Sequence, residues 1–220
     1  MREISIVIPT RNRYKKLKRC LATIPQKVGD INISIIIICD GDSNSASMLI
    51  GNKQIDRVIY VAQHRGSVYC RNLATQTVED ALLYATDDIE FLPNSIENAI
   101  LAMKKHFPDE DGIIGFSIVN ANKFSPVAFA LMGQKFLRRY PNRKLFYPEY
   151  FLFSCQEIDY LATKLGRLHL EGSAKIQHYH PGNIKSEQDQ THQEGRVNRQ
   201  KDKEISNKRH AEGLIWGESK

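Results

Sequence analysis

Two adjacent carboxylates, Asp87 and Asp88, stand where the apolar run Ala81 to Ala85 ends and Pro93 restarts the chain. Paired acids at the C-terminal end of a strand can hold a hard divalent cation through oxygen and leave coordination positions for a diphosphate. The same residues also suit a solvated turn capped by Asp. Other segments bear on the choice. Ile6-Val7-Ile8-Pro9-Thr10-Arg11-Asn12-Arg13 puts a polar loop after the first apolar run, and Cys39-Asp40-Gly41-Asp42-Ser43 does so after the second. In an open α/β sheet the ligand crevice lies at such ends. Asp40 there can accept hydrogen bonds from a base or ribose, or belong to an ordinary Asp-Gly turn. Arg71, one turn into a helix that starts near Gly66, can face a diphosphate or lie on the surface. Later come Glu157 and Asp159, which are candidate bases or dipole-stabilised helix acids. Last come His178 and His180, near a strand end.

The elements that must position these residues follow from periodicity. Ile4 to Ile8 and Ile33 to Cys39 are near-continuous apolar runs, as expected of strands buried on both faces. Between them Tyr14, Leu17, Leu21 and Ile24 recur at helical spacing with Lys15, Lys16, Lys18 and Arg19 opposite. A third strand over 58–62, a helix over 67–79 and the run 81–85 follow. Asn94 and Glu97 predict a capping-box start to a helix with Ile96, Ile100 and Met103 inside. Alternation of this kind predicts an α/β fold with a mostly parallel sheet flanked by helices. Strands at 113–119 and 127–131 make the second half mixed. A helix over 156–165 is expected to end at Gly166 in the left-handed conformation. Residues 1–184 read as one domain. Residues 185–220 read as a polar, charged tail, either a solvated helix or disordered, with Trp216 able to dock its end.

Composition narrows the classes. A chain of 220 residues with 41% hydrophobic residues can bury a full core. Its four cysteines are far apart with no CxxC pair, which argues against a zinc site or a disulfide framework and for reduced thiols. The N-terminus enters a strand at once and no apolar run is long enough to span a bilayer. A cytoplasmic protein, at most peripheral to a membrane, is expected. The net charge of +6 suits a polyanionic partner. No helix-turn-helix, zinc-finger or RNP motif is present, so nucleic acid is not expected.

Together, Ile-Pro-Thr-Arg-Asn at the first strand end, Asp40 at the second, Gly66-x4-Arg71-Asn72, Asp87-Asp88 ahead of Pro93, Gln156-Glu157-Ile158-Asp159 and the histidines of 175–180 resemble glycosyltransferase family 2 with the GT-A fold. The resemblance covers roughly residues 3 to 182. It implies a metal-dependent inverting transferase that uses a nucleotide-diphosphate sugar, most often a UDP-sugar, with a glycan or lipid-linked acceptor. It also implies roles for individual residues. Pro9, Thr10, Arg11, Asp40, Asp42, Arg71 and Asp87 would hold the donor, with Asp87 at the ribose and Asp40 or Asp42 at the base. Asp88, with His178 or His180, would bind Mn²⁺ or Mg²⁺, with Glu90 a further acid of the turn. Glu157, or else Asp159, would be the base. The basic, aromatic stretch Lys135 to Tyr147 would lie on the acceptor side, where it could meet an anionic glycan or a membrane surface. A non-catalytic nucleotide-sugar-binding module of the same fold is the alternative.

Overall fold

In a computed structural model, the chain is described over residues 1–152, 155–181 and 189–218. The elements run β1 (Glu3–Thr10), α1 (Tyr14–Leu21), β2 (Lys27–Val28), β3 (Ile31–Asp40), α2 (Ser43–Leu49), β4 (Arg57–Val61), α3 (Ser67–Thr75) and β5 (Ala81–Tyr84) in the first half. They continue with β6 (Ile89–Phe91), α4 (Ser95–His106), β7 (Ile113–Ile118), β8 (Ala130–Met132), α5 (Gln134–Leu137), a 3₁₀ turn (Pro141–Arg143), α6 (Cys155–Lys164), β9 (Leu168–His178) and α7 (Gln190–Ala211). The strands form one sheet in the order β2-β3-β1-β5-β8-β7-β9-β6, with β4 paired to the outer side of β3.

The apolar runs are explained by the two faces of this sheet. Along β1 and β3, Ile4, Ile6, Ile8, Ile33, Ile35 and Ile37 point to one side, while Val7, Ile36 and Ile38 point to the other. Both sides are covered. Leu17, Cys20 and Leu21 of α1 and Ile96, Ala99, Ile100 and Met103 of α4 pack on the first face. Val68, Cys70 and Ala74 of α3 and Ile158, Leu161 and Ala162 of α6 pack on the second. A fully buried isoleucine such as Ile37 contributes about 1.5–3 kcal/mol relative to an exposed one, so a polar residue in these runs is costly.

β1 pairs in parallel with β3 and β5, and β3 with β4. Antiparallel β8 then lies between β5 and β7, and β6 pairs antiparallel with β9, which gives the mixed second half. β7 and β9 pair in parallel with a register shift at Phe116/Ser117. The parallel strands β1, β3 and β5 therefore end at one rim, as sheet order alone requires.

Several local expectations differ from the structure. The capping box at Asn94 does not form: Asn94 is left-handed at φ 63° with no side-chain cap bond. Helix α4 still begins after Asn94, at Ser95, whose amide bonds to Leu92 O and whose hydroxyl donates to Lys175 O. Gly166 does adopt a positive φ of 63° after α6. The stretch Lys135 to Tyr147 turns its apolar residues to the core, while Lys135, Arg138, Pro141 and Asn142 are exposed. Phe136, Leu137, Tyr140, Leu145 and Phe146 are buried, and Lys135 and Arg139 pair with Asp109 and Asp111. No disulfide joins the four cysteines. Among the described residues no helix is long and apolar enough to cross a membrane.

The boundary expected at residues 184 and 185 lies outside the described residues. Beyond it the chain forms the 22-residue helix α7, which lies against the body rather than in solvent. Its Gly195, Asp202 and Ser206 are buried. Asp202 accepts the amides of Phe151 and Leu152 at 2.9 and 2.8 Å. After it, the Trp216 indole donates to Lys144 O at 2.7 Å, docking the C-terminal turn as expected of that residue.

Candidate active site

At the rim where β1, β3 and β5 end, a cavity of about 590 Å³ opens between the sheet and α7. Pro9, Thr10, Arg11, Asp40, Arg71, Asp87, Asp88, His178 and His180 all line it. Asp42, Glu157 and Asp159 do not.

The acidic turn is held by its neighbours. Thr10 Oγ1 donates to Asp87 Oδ2 at 2.8 Å, and Thr86 Oγ1 donates to Asp88 Oδ1 at 2.7 Å. Arg13 Nη1 lies 3.2 Å from Asp87 and 3.6 Å from Asp88, and His178 Nε2 lies 3.4 Å from Asp88. Both carboxylates are nearly inaccessible, so burial opposes their ionisation, and the two respond differently. Burial raises the Asp87 pKa despite Arg13, and the neighbouring Asp88 charge adds to the rise. At Asp88 the hydrogen bond from His178, then Arg13 and the Thr86 hydroxyl, outweigh burial and hold the carboxyl well below the usual range. Asp88 is therefore the better anionic ligand. Glu90, the next acid, turns outward to Arg19 at 3.0 Å.

Asp40 is already engaged by its own neighbours. Its oxygens accept Arg65 N at 2.7 Å and Gly66 N at 2.9 Å, and His64 Nδ1 lies 2.6 Å away. This carboxylate folds the 64–66 loop against β3 and presents His64 to the cavity. Gly66 at φ 87° is needed there, because a Cβ would lie 2.7 Å from Phe151 O. Asp42 caps α2 through Ser45 N at 2.9 Å and accepts Asn12 N at 2.7 Å. It shapes the β1–α1 loop from outside and lines a separate cleft. Arg71 is buried, and its guanidinium donates to Ala85 O at 3.3 Å. Its Nε has no hydrogen-bond partner among the described residues, and burial lowers its pKa. Such a buried, under-bonded cation in a cavity wall suits an anion.

Helix α7 supplies site residues that the sequence did not suggest. Asp189, its N-cap, binds Arg13 on two nitrogens at 2.8 and 2.6 Å and Lys16 at 2.6 Å. Glu194 pairs with Arg11, and its carboxylate lies 3.0 Å from His64 Nε2. His192 completes a reciprocal cap with Asp189 and reaches within 4.0 Å of Asp88. Its ring centroid is 5.0 Å from that of His180, which is 5.4 Å from His178. Burial and Arg13 lower the His192 pKa, which favours the neutral ring whose Nδ1 accepts the Asp189 amide at 3.2 Å. The Asp189-x-x-His192 spacing is the one sequence signal for this helix start.

Glu157 is committed elsewhere. Arg209 grips both its oxygens at 2.7 and 2.9 Å, the Tyr150 hydroxyl donates at 2.6 Å, and Trp216 N donates as well. Burial would raise its pKa, but the Arg209 and Tyr150 hydrogen bonds lower it overall. Asp159, two residues further along α6 and so turned to a different face, accepts from Thr163 at 3.3 Å.

Among the described residues no group of three or more His, Cys, Asp or Glu side chains forms a ready metal cage. Asp88 and His178 offer one ionised oxygen donor and one imidazole. That set fits an octahedral Mg²⁺ or Mn²⁺ which draws its remaining ligands from water and substrate phosphates.

The family model described as Glycosyl transferase family 2 matches residues 5–156. The crystal structure of S. aureus TarS 1-349 superposes with a TM-score of 0.60 at 15% identity, over 76% of this chain and 57% of that one. TarS 1-349 in complex with UDP-GlcNAc gives 0.60 at 14% identity, over 76% and 55%. The mannosyltransferase PcManGT from Pyrobaculum calidifontis, in complex with GDP-Man and Mn²⁺, gives 0.56 at 12% identity, over 79% and 55%. At these identities the likeness is one of fold, and the chain spans little more than half the length of these structures. No curated protein matches the sequence. The match over most of the chain, on a GT-A sheet whose acidic turn opens into the rim cavity, places this chain in glycosyl transferase family 2.

Proposed function

We propose that the protein transfers a sugar from a nucleoside-diphosphate sugar, with UDP as the first candidate, to a hydroxyl of a glycan or lipid-linked acceptor. One observation carries this reading: Asp87 and Asp88 share a cavity wall with the buried cations Arg13 and Arg71 at the sheet rim. Carboxylates there suit ribose and metal, and the guanidiniums suit a diphosphate. Thr10 fixes Asp87, and Arg71 has donor capacity left for a phosphate oxygen.

In this reading Asp88 and His178 hold Mn²⁺ or Mg²⁺, with His180 nearby. The ion offsets charge on the departing diphosphate. Arg13, beside Asp87 and Asp88 in the same wall, adds positive charge that suits the diphosphate. In the transfer the acceptor oxygen bonds to the anomeric carbon, the bond from that carbon to phosphate oxygen breaks, and the hydroxyl proton leaves to a base. The grip of Arg209 on Glu157 favours a structural role for that residue over the base role, and Asp159 stays the second candidate on α6.

The reading is tested by thermal shift with UDP, GDP, UDP-GlcNAc and GDP-Man, with and without Mn²⁺, together with release of free sugar from the donor. A ligand that binds only the folded state raises its apparent stability. Metal-enhanced stabilisation by one nucleotide and slow donor hydrolysis are expected; neither appearing would refute it. The capture of Glu157 also favours a second reading, a non-catalytic nucleotide-sugar-binding module. Stabilisation by nucleotide without any hydrolysis or transfer would select that one.

A further inference from the structure

The cavity has two ends of different electrostatic character. At the end formed by β1, β3 and β5 the cations alternate with Asp40, Asp87 and Asp88. At the mouth under α7, Arg196 and Arg199 are in the lining together with His180 and His192. The one acid that α7 adds to the lining, Glu194, is spent on Arg11 and lies beside His64.

The helix geometry extends this mouth outward. Gly195, Asp202 and Ser206 are the buried stripe of α7. Arg196, Arg199 and Lys203, at relative positions 0, 3 and 7, flank that stripe along one edge. The 1.5 Å rise per residue sets the first and last about 10 Å apart. No acid of α7 shares the edge. Asp202 is buried on the Phe151 and Leu152 amides, and Glu204 is exposed away from it and bonds to Gln200. Arg196 and Lys203 are exposed and make no ion pair among the described residues. In the other basic, aromatic stretch, Lys135 to Tyr147, Phe136, Tyr140 and Phe146 are in the core and Lys135 and Arg139 are paired with acids.

A neutral hydroxyl acceptor has no use for a row of cations leading to the reacting centre. We propose that the α7 edge Arg196–Arg199–Lys203 is an acceptor track for a chain that carries repeated anionic groups, phosphate or carboxylate. This rests on the sugar-transfer reading above and adds the class of acceptor. Arginine suits both anions because its planar fork can bind two oxygens at once. The track would hold the polymer so that a hydroxyl between two charged groups enters the mouth beside His180 and His192.

The test uses the full chain with UDP and GDP in excess, so that the donor end is filled. Binding of polyphosphate, polygalacturonate and uncharged dextran is measured by titration calorimetry. The variant Arg196→Gln/Lys203→Gln is compared with Lys15→Gln/Lys18→Gln, which removes the same charge from the exposed face of α1. Binding of at least one polyanion but not dextran, weakened tenfold or more in the α7 variant and less than twofold in the α1 variant, is expected. Which polyanion binds identifies the anionic group. Equal losses in the two variants, absence of polyanion binding, or binding only to phosphatidylglycerol vesicles would overturn the track. Nucleotide thermal shift is read on the same samples. Its absence in the wild type counts against the sugar-transfer reading alone, and an unchanged ligand-free melting temperature in the variants shows that they are folded.

Discussion

Arg13 and Asp189 form a two-pronged ion pair, 2.8 and 2.6 Å, that joins the loop after the first strand to the cap of the last helix. The same guanidinium faces Asp87 and Asp88, so one cation serves three carboxylates from distant parts of the sequence.

Replacing Arg13 by Gln leaves those carboxylates without their shared charge. Breaking a buried pair from one side costs about 3–5 kcal/mol. Urea unfolding should show a loss of that order. Added Mn²⁺ should restore more stability to Arg13→Gln than it adds to the wild type, since a cation at Asp88 replaces the lost charge. Equal metal effects on the two proteins would contradict the assignment of Asp88 as the ion's ligand.

Glu157 gives a pH prediction with a definite sign. Its folded pKa is depressed, so its contribution is complete above the unfolded value near 4.3 and is lost as pH falls through the folded value. Wild-type stability should therefore fall below about pH 4.3, with a shallower fall in Glu157→Gln. At pH 7 that variant should be less stable by about 3–5 kcal/mol, because Arg209 is left unpaired. Unfolding curves across pH 3–7 check both points. Should Glu157→Gln lose turnover at unchanged stability, the carboxylate would be the base after all.

Asp202 pins part of the cavity wall to α7. Asp202→Ala removes the acceptor of two partly buried amides, and each unsatisfied amide costs about 1–3 kcal/mol. Hydrogen exchange at Phe151 and Leu152 should rise sharply relative to amides of β1. Unchanged protection there would show that the wall does not depend on α7.

Gly66→Ala introduces a Cβ 2.7 Å from Phe151 O at a positive φ. A destabilisation of at least about 1–3 kcal/mol is expected from backbone strain. Nucleotide binding should fall as well, because the 64–66 loop that Asp40 organises must shift. Calorimetric titration with UDP or GDP, alongside the melting curve, separates the two effects.

Much of the fold is legible in the sequence because both faces of β1 and β3 are buried, which forces the near-continuous Ile and Val runs. Polar loops after those runs mark the rim, and Asp87-Asp88 mark its acidic turn. Where local pattern and structure part, tertiary contacts enter: Asn94 makes no side-chain cap at the start of α4, and the Ser95 hydroxyl bonds to Lys175 O on β9. Nothing near Asp40 in sequence announces that the 64–66 loop will use its oxygens. Likewise, nothing near Glu157 announces Arg209, 52 residues away.

The sequence by itself determined the α/β character, the rim and the identity of its first acids, since burial periodicity and the polar loops that end each apolar run are local properties. The tertiary structure decided what closes that rim. Helix α7 is almost wholly polar, so no apolar stripe betrays a docking face. It is held instead by Asp189, Glu194, Asp202 and Arg209, ion pairs and hydrogen bonds whose partners lie in other segments and become neighbours only when the chain has folded.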